Sequence, residues 1–254
     1  QCERLNLYLD PQRPLFQSER DKFRTLVQQR YAGTPLAYLL GEVHFVNTRL
    51  KVDQNVLIPR PETEELVECI LKDHSEIINN SESFRFLDLG TGSGAIAIAL
   101  LKAWEQRATG VAVDQSEAAL AVARENAQLN EVVGRIEFRC SNWFDGVEGQ
   151  FDMIVSNPPY IPTPNLSSLS DEVIEHEPTS ALDGGPHGTR AIEVIVNCAH
   201  DYLKAGGRLY LEIGFDQGER VREILTANEH FVDVEILPDL AGRDRIARAI
   251  RRGE

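Results

Sequence analysis

The sequence predicts an α/β fold built on a doubly wound, mostly parallel sheet. Three observations carry that expectation. From Phe84 onward β-rich runs alternate with helix-patterned segments, a glycine-rich turn joins the first of these strands to a helix, and an aspartate closes the second. Such alternation places crossover helices on both faces of a sheet.

The predicted strands are Phe84 to Leu89, Thr109 to Asp114, Arg135 to Cys140, Phe151 to Ser156, Arg208 to Ile213, Val232 to Leu237 and Arg245 to Ile250. Between them, apolar residues at three- and four-residue spacing predict helices over Ala95 to Glu105, Glu117 to Asn130, Thr189 to Leu203 and Gln217 to Asn228. Ser116 suits the N-cap of the second, and Gly206-Gly207 a stop after the third. No helix separates the last two strands, so they pair as an antiparallel hairpin across Asp239 to Arg243. Ahead of Phe84, helices are expected over Glu19 to Tyr31 and from Pro61, which fits a first helical turn, to about Lys72. The polar stretch His74 to Ser83 has no periodicity and reads as a loop.

With 42% apolar and 26% charged residues in 254, the composition is that of a globular chain able to bury an ordinary core. The longest apolar run, Ala95 to Leu101, is too short to span a bilayer, so no membrane association is expected. Cys2, Cys69, Cys140 and Cys198 show no C-x-x-C pairing; a metal site and a disulfide framework lack support, and all four read as buried or bystander thiols. The formal charge of −14 opposes stable nucleic-acid binding, which draws on Lys and Arg contacts to phosphate. The Arg-rich tail from Arg243 to Arg252 reads as a strand with its Arg side chains facing water. The expected location is the cytoplasm, or a mitochondrion if a leader preceded Gln1.

Two motifs carry chemistry. In Asp88-Leu89-Gly90-Thr91-Gly92-Ser93-Gly94 the glycines let the backbone turn sharply and approach a ligand, while the following helix start presents free N–H groups. Asp114, closing the next strand, can accept both hydroxyls of a ribose. These features alone fit a dinucleotide cofactor equally well, since Gly90-x-Gly92-x-x-Ala95 satisfies that fingerprint. The second motif, Asn157-Pro158-Pro159-Tyr160, follows the fourth strand and faces the same crevice. Its prolines remove two backbone donors and leave stiff carbonyls that only accept. An amide or aryl amine offers two coplanar N–H groups, which the Asn157 side-chain oxygen and the Pro158 carbonyl can take together while Tyr160 packs on the flat face.

With these motifs the chain resembles the amino-group methyltransferases. Leu57-Ile58-Pro59-Arg60-Pro61-Glu62-Thr63-Glu64, Gly33 to Gly41, Ser141-Asn142-Trp143-Phe144, Glu177 to Leu182 and Gly242 to Arg245 further resemble the HemK/PrmC family of release-factor glutamine methyltransferases. The resemblance runs from about Arg30 to the end. It implies a seven-stranded Rossmann-like class I fold dependent on S-adenosylmethionine, with no metal. It also implies a shortened helical N-terminal substrate-binding domain over 1–40, a β-hairpin linker over 41–60 and a catalytic domain over 61–254. The implied substrate is the glutamine of the Gly-Gly-Gln loop in peptide-chain release factors.

The resemblance also distributes roles. Gly90, Thr91, Gly92, Ser93 and Gly94, with Asp88 beneath them, would line the methionine and ribose end of the cofactor; Asp114 would bind the ribose and Trp143 pack on the adenine. Asn142 stands where the family pattern leads us to expect Asp, and its carbonyl can still accept from the adenine amine. Asn157, Pro158, Pro159 and Tyr160 would hold the acceptor, with Asn157, Pro158 and Tyr160 as the catalytic set and Asn157 also in contact with the cofactor. Arg60 and Glu177 would contact substrate, Arg60 with Glu62 and Thr63 on a rim and Glu177 in a lid after the tetrapeptide. Alternative readings are another planar nitrogen, in a ribosomal-protein glutamine or adenine in nucleic acid, or a scaffold that keeps the fold without catalysis.

Overall fold

A computed structural model describes residues 8–10, 12–80 and 83–253. The N-terminal helices α1 (Gln17–Tyr31) and α2 (Leu36–Leu40) are followed by a two-stranded antiparallel hairpin, β1 (Glu42–Phe45) and β2 (Thr48–Lys51), and by the long helix α3 (Pro61–Asn80). Then come β3 (Phe84–Leu89), α4 (Ala95–Trp104), β4 (Ala108–Asp114), α5 (Glu117–Leu129), β5 (Ile136–Cys140) and β6 (Phe151–Ser156). After a long segment bearing the short helix α6 (Asp171–His176), the chain closes with α7 (Arg190–Tyr202), β7 (Leu203–Glu212), α8 (Gly218–Ala227), β8 (Phe231–Pro238) and β9 (Asp244–Arg251).

The seven strands β3 to β9 form one sheet in the order β5-β4-β3-β6-β7-β9-β8. The first five of that order run parallel; β9 inserts antiparallel between β7 and β8. Side-chain alternation divides the core. Phe84 and Phe86 of β3 point to the face covered by α3 and α4, with Leu66, Ile70, Ile98 and Trp104. Leu87 and Leu89 point to the face covered by α7 and α8, with Ile192, Ile195, Val221 and Leu225. In register, Leu89 pairs with Val113 on one side and Ser156 on the other, and Ser156 with Leu211. The carboxyl ends of β3, β4, β6 and β7 therefore lie side by side.

Several predicted boundaries move for identifiable reasons. Helix α3 continues to Asn80 through the stretch expected as a loop, because Ile70, His74 and Ile78 repeat at four-residue spacing and are all buried. His74 packs edge-on against Phe84, with ring centroids 5.1 Å apart, so a polar residue serves as a core one. Gly206 and Gly207 do not stop α7. That helix ends at Tyr202, β7 starts at Leu203 rather than Arg208, and the glycines form the irregularity between the pairs Phe151–Leu203 and Met153–Arg208.

The C-terminal Arg side chains are engaged rather than simply turned to water. Arg245 pairs with Asp239 at 3.5 Å, Arg248 with Asp73 and Glu235, and Arg251 donates to the Leu203 carbonyl. Ser116 caps α5, accepting from Ala119 N–H at 3.2 Å, and the last two strands pair antiparallel across the Asp239 turn. Cys69 and Cys198 are half-buried, Cys140 is exposed, and Cys2 lies outside the described residues. No helix among the described residues is long and apolar enough to cross a membrane.

Candidate active site

The glycine turn leaves β3 over Asp88, whose side chain is buried at 1% exposure. Thr91 Oγ1 donates to Asp88 Oδ2 at 2.6 Å, and Thr91 N–H donates to the Val113 carbonyl at 2.9 Å, tying the turn to β4. Burial pushes the Asp88 carboxyl up to about 7, against hydrogen bonds from Thr91 and the Ala97 N–H that favour the charged form. Gly90, Gly92 and Gly94 all have positive φ. At Gly94, the N-cap of α4, a Cβ would also lie 2.9 Å from Ile98 Cδ1, so glycine is needed there for both conformation and close packing.

Asp114 at the end of β4 is held by backbone donors: Gly92 N–H to Oδ2 and Ser116 N–H to Oδ1, each at 2.9 Å. Burial raises its pKa, and these N–H groups oppose that shift. Trp143 follows β5 with φ 53°, a strained value for a side chain of its size, and closes on the glycine turn; a Cβ on Gly90 would meet Trp143 Cζ3 at 3.7 Å. The facing wall is Gln54 to Leu57, the chain between hairpin and α3. It is braced by the Tyr38 hydroxyl donating to the Val56 carbonyl at 2.6 Å and, through the hairpin, by Asn126 Oδ1 accepting from Lys51 N–H.

Asn157 leaves β6 at the floor of the same cleft. Its Nδ2 donates to Thr63 Oγ1 at 3.0 Å, and Thr63 Oγ1 donates to Glu212 Oε2 at 2.7 Å. Glu212, at the end of β7, is fully buried and also accepts from the Tyr160 hydroxyl at 3.2 Å. Burial pushes the Glu212 carboxyl up to about 7 and raises the Tyr160 phenol as well. Gln217 Nε2 donates to the carbonyls of Tyr160 and Gly188, at 2.9 and 3.2 Å, stapling the end of the tetrapeptide to the segment that follows it. That segment returns over the cleft through Pro178, Ser180 and Ala181.

Of the residues singled out in the sequence, Gly90, Gly92, Asp114, Asn142, Trp143, Asn157 and Pro159 line the cleft. Asp88, Thr91 and Ser93 are buried behind it, Pro158 is buried between Asn157 and Pro159, which both line it, Gly94 caps α4, and Tyr160 turns its hydroxyl to Glu212. Arg60 and Glu177 meet each other at 2.5 Å, with Glu177 also accepting from the Ile58 N–H. Glu212 and Gln217 were not legible as site residues, since each sits in a strand or helix pattern and reaches the site only through pairing.

A glycine cradle, a carboxylate presented between two backbone N–H groups and an indole face beside them fit an adenosine group carrying a flexible tail. Among the described residues no group of three His, Cys, Asp or Glu side chains is arranged to hold a metal ion. Fold and cleft together define a class I, S-adenosylmethionine-dependent methyltransferase. Solved structures share this fold: a methyltransferase from Pyrococcus furiosus superposes with a TM-score of 0.59 at 18% identity, covering 94% of this chain and 100% of that one. A ribosomal protein L11 methylase from Lactobacillus delbrueckii subsp. bulgaricus does so at 0.55 and 21%, covering 76% and 81%.

The family models described as methyltransferase small domain and PrmC N-terminal domain match residues 65–186 and 1–41. Release factor glutamine methyltransferase of Synechocystis sp. is 44% identical over 89% of this chain and 76% of its own length. That of Agrobacterium fabrum is 40% identical over 94% and 82%. The chain belongs to the release factor glutamine methyltransferase family.

Proposed function

We propose that this chain transfers a methyl group from S-adenosylmethionine to the side-chain amide nitrogen of the glutamine in the Gly-Gly-Gln loop of peptide-chain release factors, leaving S-adenosylhomocysteine. The observation that carries this reading is Asn157 on the cleft wall with its Nδ2 taken by Thr63, so that Oδ1 remains to accept. Asp114 binds the ribose hydroxyls, Trp143 packs on the adenine, and Asn142 accepts from its amine, within the cleft they line. Residues 1–40 and the hairpin over 41–60 hold the protein substrate against the catalytic domain over 61–254. The charge of −14 argues against stable nucleic-acid binding, and the place of action is the cytoplasm, or a mitochondrion.

The bound cofactor supplies an electrophilic methyl group on a sulfonium. An amide nitrogen is a poor nucleophile because its lone pair is delocalised, so orientation is the hard part of the reaction. Asn157 Oδ1 and the Pro158 carbonyl accept both N–H groups of the glutamine and hold its nitrogen in line with the methyl. Their oxygens interact more strongly as the nitrogen becomes pyramidal and partly positive, which favours the transition state over the ground state. Methylation of the amide nitrogen would leave a surplus proton, which could depart to solvent without a strong base.

The test is incubation with labelled cofactor and a purified release factor, repeated with the loop glutamine replaced by alanine. Label should enter the first and be absent from the second. Label persisting in the alanine variant, or entering a ribosomal protein instead, rejects the assignment.

A further inference from the structure

Glu212 is the most buried carboxylate at the site, yet it does not reach the cleft wall, and methyl transfer as described makes no use of it. We propose that Glu212, acting through the Thr63 hydroxyl, sets which way round the Asn157 amide sits and so turns Oδ1 toward the acceptor. This rests on the reading that Asn157 Oδ1 holds the substrate nitrogen.

The argument is one of donors and acceptors. An ionised carboxylate only accepts. Thr63 has one hydroxyl proton and gives it to Glu212 Oε2 at 2.7 Å, so its oxygen can only receive from Asn157. The group on Asn157 that can give is the NH2, found 3.0 Å away, and the oxygen of the same amide is thereby directed into the cleft. Tyr160, donating to the other Glu212 oxygen, brings the far end of the tetrapeptide under the same carboxylate. If Glu212 takes a proton on Oε2, the oxygen that Thr63 meets, it donates to the Thr63 hydroxyl instead of accepting from it. Thr63 is then free to donate to Asn157, the amide turns over, and an NH2 group faces the N–H donors of the glutamine.

The charged groups around Glu212 are Arg245 from β9, which stabilises the carboxylate while itself paired with Asp239, and Glu62 from the start of α3, which opposes it. Thr63 and Tyr160 are its direct partners. Burial dominates, and with the carboxyl pushed up to about 7 the turnover of the amide falls near neutrality.

Glu212 and Thr63 are thus positioning residues, and the test reads position rather than stability. Single-turnover rates at saturating release factor are followed from about pH 5.5 to 9 for the unchanged protein, Glu212→Gln, Thr63→Val, Thr63→Ser and Asn157→Ala, with cofactor affinity by calorimetry. Thr63→Val and Glu212→Gln should each slow transfer by about tenfold or more, with cofactor affinity within about twofold, and Thr63→Ser should recover most of the rate. The unchanged protein should lose rate below about pH 7, and that limb should vanish in Thr63→Val. If one variant does not fold, the other decides. A full rate in Thr63→Val, or an unaltered acidic limb in it, overturns the proposal; a full rate in Asn157→Ala instead overturns the reading of Asn157 on which it rests.

Discussion

Arg60 and Glu177 form an ion pair at 2.5 Å between residues 117 apart in sequence. The Glu177 side chain is 2% exposed and its second oxygen accepts from Ile58 N–H at 3.1 Å, so one buried carboxylate holds both the chain entering α3 and the segment returning over the cleft. Removing one partner of such a pair leaves a charge buried without compensation, which costs more than the pair contributes.

Arg60→Ala should therefore destabilise the fold by about 2 kcal/mol or more, less than for a fully buried pair because Arg60 is one-third exposed. Denaturant titration checks the stability, and steady-state kinetics should show a raised KM for the release factor as the covering segment loosens. Unchanged stability with a raised KM would assign Arg60 to direct substrate contact.

Trp143 should matter to cofactor and not to acceptor. Trp143→Ala removes the indole face beside the glycine turn and should weaken cofactor binding by roughly 1 to 3 kcal/mol. Titration calorimetry reads this directly, and an unchanged affinity would remove Trp143 from the adenine site.

Asn157→Ala should do the reverse, abolishing methyl transfer while leaving cofactor affinity within a few-fold, because the role proposed for its Oδ1 is to accept from the substrate amide while Nδ2 is held by Thr63. Equal loss of both would reassign it to holding the cofactor.

His74 should make the fold acid-sensitive. Burial, then repulsion from Arg208, lowers its pKa from the ordinary 6.5 to about 4. The unfolded chain therefore takes up a proton that the folded chain resists, so stability is full above about pH 6.5 and falls as pH drops toward 4. The span corresponds to roughly 3 kcal/mol. Carboxylates also titrate in this range, so the measurement is the difference between the unchanged protein and His74→Phe, which keeps the ring contacts to Phe84 and Trp104. That difference should widen toward acid, and parallel curves would refute it.

Much of the catalytic fold was legible because its signals are local. The glycine turn, the aspartate ending β4 and the tetrapeptide after β6 each declare a backbone shape and a chemistry within a few residues. Their common location followed from one rule, that ligands gather at the carboxyl ends of parallel strands. What escaped was non-local or disguised. His74 reads as polar and is used as an aromatic core residue, so the sequence at the end of α3 has the pattern of a loop. The Arg side chains of β9 looked solvated because their partners, Asp73 on α3 and Glu235 on β8, are set by a strand order that no short pattern encodes.

The sequence by itself determined the fold class, the cradle and the stiff acceptor loop, since glycine, proline and strand-helix periodicity act through backbone sterics over short distances. Only the tertiary structure decided how Asn157 is held. Thr63 and Glu212 lie 149 residues apart and meet because α3 packs beside the end of β7, where burial strengthens their hydrogen bond and fixes the direction of its proton.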